Sequence, residues 1–279
     1  MGTTTRIIVV RHGARFDYAN PDWAPRAASL GLNPRDPPLS ELGVRQAEQA
    51  AVRLAERLEE LQEKPDAILV SPYLRVIMTA QPLARKLGES LLIEEGLSET
   101  HHCPNVLPSA RERFAYFPEI DETYEPMHVI EADAEEFGVP AELYPESYMR
   151  RMMVVGRKLA QEFEGQTVVC YTHAASVCLV AGILNLPFPD DLSFKFAPCG
   201  IFELECSPDT DGRWELISNG DVNTAYITEN DEFTSAWGFR DPHRLVWNSL
   251  IADLEEDKKE RRRSKRESSS SKGEKKSTL

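Results

Sequence analysis

Two histidines in this sequence stand where a buried strand is expected to end, and their surroundings could support phosphoryl transfer. His12 follows the β-branched run 6–10 and the single residue Arg11, and His173 comes shortly after the run 167–171. A neutral imidazole is a competent nucleophile, and near pH 7 much of any exposed histidine is neutral. His12 could therefore accept a phosphoryl group and carry it as a phosphohistidine.

Three arginines could supply the fixed positive charge that a phosphate dianion needs. The planar guanidinium group binds phosphate through two parallel N–H bonds, and the candidate donors are Arg11, Arg15 and Arg75. Arg75 falls in the first turn of an expected helix, whose unpaired N–H groups would point at the same anion. We therefore expect these three residues to bind phosphate.

A leaving alkoxide or phenoxide must collect a proton, so the scheme also needs a general acid. Glu99 is the candidate. Because it lies in an acidic stretch with Glu94 and Glu95, the alternative for Glu99 is a solvated surface position. His173 could donate a hydrogen bond to a non-bridging phosphate oxygen as charge develops in the transition state.

This chemistry requires no metal and no other cofactor. His101, His102 and Cys103 are three potential metal ligands in a row. Adjacent side chains on an extended chain point to opposite faces, however, and no fourth ligand is spaced nearby. We therefore predict that the protein has neither a metal site nor a cofactor.

The elements that would position these residues alternate between strand and helix. Short β-branched runs predict strands, and apolar residues repeated at helical spacing predict amphipathic helices. The expected strands are 6–10, 67–70, 91–93, 167–171, 200–206 and 213–217, and the expected helices are one after Ser40 as N-cap, 74–87, 146–163 and 176–184. This order is typical of an α/β fold with a mostly parallel sheet flanked by helices on both faces. In such folds the active site lies beyond the carboxyl ends of the strands, where His12, Arg75 and His173 fall.

Two segments lack a regular pattern. Residues 14–39 contain five prolines and predict a surface loop, and residues 100–145, with scattered prolines and aromatic residues, predict an inserted lid region. Those aromatic side chains either pack the insertion against the sheet or hold a hydrophobic phosphate ester. We predict one domain over residues 1–250, followed by a charged, largely disordered tail over residues 251–279.

The formal charge of −14 is distributed unevenly along the chain. From Lys258 onward there are 10 Lys and Arg against 3 Asp and Glu, which leaves 22 against 43, a charge of −21, for residues 1–257. Such an acidic body disfavours direct nucleic-acid binding by the folded part, so a phosphate site must be a local basic pocket. The basic tail is interpreted either as a solubilising segment or as a docking or nuclear-import segment for protein partners.

The five cysteines are odd in number and lack CxxC spacing, and the sequence has neither a secretory signal nor a run of about 18 apolar residues. These features predict no membrane association, reduced thiols, and a location in the cytoplasm, the nucleus or both.

Four short motifs, in order, resemble those of the histidine phosphatase superfamily, branch 1, which has the fold of phosphoglycerate mutase. Over residues 6–220 the matching segments are Arg11-His12-Gly13, Ser71-Pro72-Tyr73-Leu74-Arg75, Gly96-Leu97-Ser98-Glu99 and Thr172-His173-Ala174. The resemblance implies a nucleophilic His12, an acid at Glu99 and a second pocket histidine at His173. It also implies that Arg11 and Arg75 bind phosphate, as does Arg15 in one group of the family.

That group includes phosphatases that suppress T-cell-receptor signalling and act on phosphotyrosine, and ecdysteroid-phosphate phosphatases. Ala14 and Thr100 depart from its pattern, because the phosphotyrosine phosphatases usually have an acidic residue and a Trp at these places. Residues 166–240 also resemble the fungal phosphatase-like subunit of transcription factor IIIC, which works mainly as an assembly protein.

Three functions are therefore considered. The first is a phosphatase that hydrolyses a phosphorylated small molecule or a phosphoprotein. The second is an assembly subunit that retains weak or residual activity. The third is a phosphoglycerate mutase, which is disfavoured because the stretch that mutases usually carry after the signature is absent after Gly13.

Overall fold

A six-stranded sheet forms the centre of the computed structural model. The structure describes residues 3–99, 107–129, 146–184, 195–210, 212–220, 226–228, 237–238, 247–252 and 256. The strands of this sheet are β1 (Thr5–Arg11), β2 (Ala67–Val70), β3 (Leu91–Ile93), β4 (Thr167–Thr172), β6 (Ile201–Cys206) and β7 (Trp214–Ser218). A separate pair is formed by β5 (Lys195–Phe196) and β8 (Trp237–Gly238).

The strands of the large sheet lie in the order β3-β2-β4-β1-β6-β7. The first four are mutually parallel, while β6 runs antiparallel to β1 and β7 antiparallel to β6. The prediction of a mostly parallel sheet is confirmed. Its consequence is that the carboxyl ends of β1, β2, β3 and β4 meet at one edge.

Helices cover both faces of this sheet. They are α1 (Phe16–Ala19), α2 (Trp23–Ser29), α3 (Glu41–Leu61), α4 (Leu74–Leu87), α5 (Ala110–Phe114), α6 (Glu146–Glu162) and α7 (Val177–Leu184). Successive residues of a strand point to opposite faces. Accordingly Ile7 and Val9 pack in the core that includes α6 and α7, and Ile8 and Val10 in the core that includes α3 and α4. The expected N-cap is confirmed, since the N–H of Gly43 donates to Ser40 Oγ at 3.1 Å.

The prediction of an irregular loop over residues 14–39 is wrong for its first half, which contains α1 and α2. Pro25 is the third residue of α2, where a backbone N–H has no intrahelical acceptor in any case, and Pro21 lies between the two helices. The indole N–H of Trp23 donates to the carbonyl of Pro34 at 2.8 Å, which ties α2 to the following loop. Proline counting therefore underestimated the order of this segment.

Part of the expected insertion packs against the edge of the sheet at β3. The N–H of Leu91 donates to Glu119 O at 2.7 Å, and the N–H of Asp121 donates to Leu91 O at 3.0 Å. Phe117 and Tyr124 pack on the two cores, which supports the packing role for these two aromatic side chains. Residues 100–106 and 130–145 lie outside the described residues.

The tail also lies outside the described residues, apart from positions 251, 252 and 256, which are helical. Among the described helices, none combines the length and apolar character needed to cross a bilayer.

Candidate active site

His12 lies directly after β1 and is 3% exposed. Its Nδ1 is 2.7 Å from the carbonyl oxygen of Gly13. A carbonyl can only accept a hydrogen bond, so Nδ1 carries the proton and Nε2 carries the lone pair. Burial, reinforced by the charges of Arg75 and Arg11, holds the pKa of His12 well below its ordinary value of 6.5. The ring is therefore neutral near pH 7, with Nε2 available for attack.

His173 is fully buried, and its ring centroid lies 5.4 Å from that of His12. Its Nδ1 is 3.2 Å from Arg75 Nη2, and its Nε2 is 2.8 Å from Ser71 Oγ. A guanidinium can only donate, so Nδ1 accepts and the proton is on Nε2, which donates to Ser71. Burial and the charge of Arg75 lower the pKa of His173 well below its ordinary value, consistent with this neutral form.

This geometry changes the expected role of His173. Both of its ring nitrogens are engaged within the protein, so it has no N–H directed at a phosphate oxygen. It could donate such a bond only after Nδ1 gained a proton and Arg75 turned towards the anion.

Arg75 and Arg11 provide buried donors beside the two histidines. Arg75 is 1% exposed, and its Nε and Nη1 make no hydrogen bond among the described residues. The Nε of Arg11 is likewise without a partner there, while its Nη1 donates to Phe196 O at 2.5 Å. Buried polar groups are almost always hydrogen-bonded, so such unmet donors fit a site that receives an anion. Burial lowers the pKa of Arg11 to about 10, which still leaves it charged near pH 7.

The helix N-terminus beside Arg75 contributes less than expected. The N–H of Leu74, the first residue of α4, already donates to Asp36 Oδ1 at 2.7 Å. Asp36 is in turn paired with Arg113, whose Nη2 also reaches Pro72 O. This backbone donor is thus used to fix α4 in place, which leaves it unavailable to an incoming anion.

Arg15 lies near the pocket but is bound to its own neighbours. Its Nε and Nη2 donate to the two carboxylate oxygens of Asp17 at 2.9 and 2.7 Å, and its guanidinium lies 4.4 Å from the Tyr18 ring centroid. Its charge nevertheless contributes to lowering the pKa of both His12 and His173. Arg15 would have to leave Asp17 before both arms of its fork could hold a phosphate.

Glu99 lies beside His173. Its Oε2 lies 3.8 Å from His173 Nδ1, and its side chain is 30% exposed, so that it reaches both this histidine and solvent. Its neighbour Glu94 is fully buried and accepts hydrogen bonds from the N–H of Gly96 and the hydroxyl of Tyr124.

Two polar side chains that hold the His12 loop, Thr79 and Gln46, were not predicted from the residue pattern. Thr79 Oγ1 accepts from Gly13 N at 3.1 Å and donates to Arg75 O at 2.7 Å. Gln46 Oε1 accepts from Ala14 N at 2.9 Å. A signal for Gln46 was present, because it stands in the apolar stripe that α3 continues at positions 50, 54 and 58.

Close approach of two glycines brings α3 against the same loop. A Cβ on Gly13 would lie 2.6 Å from Gly43 O, and a Cβ on Gly43 would fall on the carbonyl oxygen of Ala14. Neither position has room for a side chain, so the pair fixes how closely the loop approaches the helix.

Among the residues that the structure describes, no group of three or more His, Cys, Asp and Glu side chains is placed to hold a metal ion. His101, His102 and Cys103 lie outside those residues.

Two known proteins are similar to this chain. The chain is 24% identical over 269 residues to the transcription factor tau 55 kDa subunit of Saccharomyces cerevisiae, across 84% of this chain but 58% of the yeast subunit. It therefore spans little more than half the length of that relative. The ecdysone phosphate phosphatase from Bombix mori, solved in complex with tungstate, superposes with a TM-score of 0.58 at 20% identity, covering 86% of this chain and 99% of that one.

The sequence pattern of the histidine phosphatase superfamily, branch 1, matches residues 7–220. The match extends from β1 to just beyond β7 and so contains His12, His173, Arg11 and Arg75. The chain belongs to the histidine phosphatase superfamily, branch 1.

Proposed function

We propose that this chain is a phosphatase that hydrolyses a phosphomonoester through a phosphohistidine on His12. The observation that carries the proposal is the tautomer of His12. Its Nδ1–H is bound to Gly13 O, which leaves a neutral Nε2 in a buried pocket with the unmet donors of Arg11 and Arg75. Membership of the histidine phosphatase superfamily supports phosphatase activity.

In the first step, Nε2 of His12 attacks phosphorus while the bond from phosphorus to the ester oxygen breaks. Glu99 gives a proton to the departing oxygen, and Arg11 and Arg75 bind the non-bridging oxygens as negative charge redistributes over them. The negative phosphate also draws Arg75 from His173, whose Nδ1 then takes a proton from solvent and donates to the phosphate. His173 is thus proposed to join the pocket only once it is filled.

In the second step, water attacks the phosphohistidine, and the N–P bond breaks with its electron pair returning to His12 Nε2. Glu99, left as a carboxylate by the first step, accepts the proton from that water. When phosphate leaves, His173 Nδ1 returns its proton to solvent and accepts from Arg75 again, so every group regains its starting state. The proposed cycle requires no metal. The substrate class is a phosphorylated small molecule or a phosphoprotein.

The test is turnover of a phosphoester panel by wild type and by His12→Ala, including p-nitrophenyl phosphate and a phosphotyrosine peptide. We expect metal-independent turnover by wild type, unchanged by EDTA, and its loss in the variant. Turnover by His12→Ala at the wild-type rate would remove His12 as the nucleophile.

A second candidate function is an assembly role in the nucleus. It is favoured by the identity to the yeast transcription factor subunit over 84% of this chain. Partners would then bind the acidic body or the basic tail over residues 251–279. Recovery of a stable stoichiometric complex, together with no hydrolysis across the panel, is the outcome that this role predicts.

A further inference from the structure

The segment that carries Glu99 is held by its backbone carbonyl groups. We call residues 96–99 the acid loop. Arg151 Nη1 donates to Gly96 O at 2.6 Å and to Ser98 O at 3.1 Å, and its Nη2 donates to Ser98 O at 3.1 Å and to Glu99 O at 3.2 Å. The remaining carbonyl, that of Leu97, accepts from Thr172 Oγ1 at 2.8 Å. All four carbonyls of the acid loop are therefore bound, three of them by one guanidinium.

Arg151 is built into the fold rather than placed at the surface. It lies on α6, is 8% exposed, and its guanidinium carbon lies 5.0 Å from the ring centroid of Tyr148. The other anchor of the loop, Thr172, directly precedes His173 in the chain. The acid loop is thus fixed by α6 on one side and by the end of β4 on the other.

We infer that Arg151 is the positioning residue for the general acid: its fork holds the acid loop so that the Glu99 carboxyl reaches the leaving oxygen. The inference rests on the proposed function. Proton transfer requires the acid within hydrogen-bonding reach, and a misplacement of about 1 Å can reduce a rate by about 100-fold. In these contacts Arg151 binds the backbone of the acid loop, so the inference places its effect on the position of Glu99.

If Arg151 has this role, the effect of replacing it depends on the leaving group. A poor leaving group such as phenoxide needs the proton from Glu99, whereas 2,4-dinitrophenoxide departs without one. We expect Arg151→Met to lower kcat/KM for phenyl phosphate at least about tenfold more than for 2,4-dinitrophenyl phosphate. A purely structural loss would lower both by the same factor, and that result would overturn the inference.

Arg150 provides the matched control, because it neighbours Arg151 on α6 and is exposed. Arg150→Met should leave the ratio of the two kcat/KM values within about twofold of wild type, as expected for a surface substitution. Arg151→Lys keeps the charge but loses the planar fork, and we expect a ratio between those of wild type and Arg151→Met. If Arg151→Met does not fold, the lysine variant decides, and an unchanged ratio in it contradicts the inference.

A double variant separates action through Glu99 from an independent effect. In a Glu99→Gln background, Arg151→Met should reduce phenyl phosphate turnover by less than about threefold further, since the acid is already absent. The full single-variant loss in that background would show independent action and overturn the inference. Failure of the proposed function has another signature, namely turnover of both esters by His12→Ala.

Discussion

At the scale of single residues, hydrogen bonds to the backbone decide which nitrogen can react. The carbonyl of Gly13 fixes the proton of His12 on Nδ1, and Arg75 fixes the proton of neutral His173 on Nε2. The two side chains are chemically identical and their ring centroids lie 5.4 Å apart. Their hydrogen bonds nevertheless place the proton on different ring nitrogens. Of these two histidines, His12 is the one whose Nε2 lone pair is available to a substrate.

The depressed pKa of His12 leads to a prediction for the pH dependence of kcat/KM. The attacking form is neutral, and burial lowers the folded-state pKa, so His12 stays active as pH falls through 6.5 and is lost only well below it. We predict an acid limb with its midpoint below 6.5 in kcat/KM for p-nitrophenyl phosphate. A second ester, whose phosphate has a different pKa, distinguishes titration of the substrate from titration of His12. A limb centred at or above 6.5 with both esters would contradict a buried, neutral nucleophile.

Sequence reasoning identified the residue types of the site but not their bonding. The structure brings predicted residues together: His12 and His173 are neighbours, and Arg75 and Glu99 lie beside His173. The reason is that residues at the carboxyl ends of parallel strands share an edge of the sheet. The bonds of Arg15 to Asp17 depend on rotamers and on local backbone turns. Such details cannot be read from residue spacing.

At the scale of elements, the position of the His12 loop depends on how closely α3 approaches it. We predict that Gly43→Ala destabilises the protein by about 1–3 kcal/mol, because the new methyl group collides with the carbonyl of Ala14. The measurement is urea unfolding, with kcat/KM expected to fall as the loop moves. Val44→Ala, at an exposed neighbouring position, should change stability by less than about 0.5 kcal/mol. If Gly43→Ala were as stable as wild type, the loop backbone could move enough to accommodate the methyl group, which would contradict this prediction.

A buried ion pair anchors the helix that carries Arg75. Asp36 accepts from Arg113 and from the N–H of Leu74, and both charged side chains are buried. We predict that Arg113→Met costs about 3–5 kcal/mol in the free energy of unfolding, because it leaves the Asp36 carboxylate buried without its partner. Arg111→Met, on the exposed side of the same helix, is the control. A loss below about 1 kcal/mol would mean that the carboxylate finds solvent or another donor.

The two partners of this pair are 77 residues apart in the chain, and nothing in their local sequence links them. Periodicity did predict α4, whose bounds coincide with the expected 74–87, because its apolar positions repeat over a full helix. It failed for α1 and α2, which are too short to show a period.

At the scale of the whole molecule, a local cationic pocket lies in a strongly acidic chain. Residues 1–257 carry a formal charge of −21 by the count of Lys, Arg, Asp and Glu. Long-range repulsion should therefore slow the approach of acidic substrates. The α/β architecture could be predicted from the sequence, because each strand has a short β-branched run and each long helix has an apolar repeat of its own.

We predict that the chain prefers phosphopeptides with basic flanks over otherwise identical ones with acidic flanks. The preference, measured as a ratio of kcat/KM values, should fall as salt is raised from about 0.02 to 0.5 M, because the Debye length shortens from about 20 Å to about 4 Å. A ratio that stays constant across this range would mean that the acidic surface does not influence encounter.

The central claim is that His12 carries the phosphoryl group, and trapping the phosphoenzyme tests it most directly. Glu99→Gln supplied with 2,4-dinitrophenyl phosphate should form the intermediate without acid assistance and hydrolyse it slowly for lack of a base. After rapid quenching, peptide mapping should find one acid-labile, alkali-stable phosphoryl group on His12, and none when His12→Ala is added. A phosphoryl group on any other residue, or turnover without protein-bound phosphate, would contradict the account.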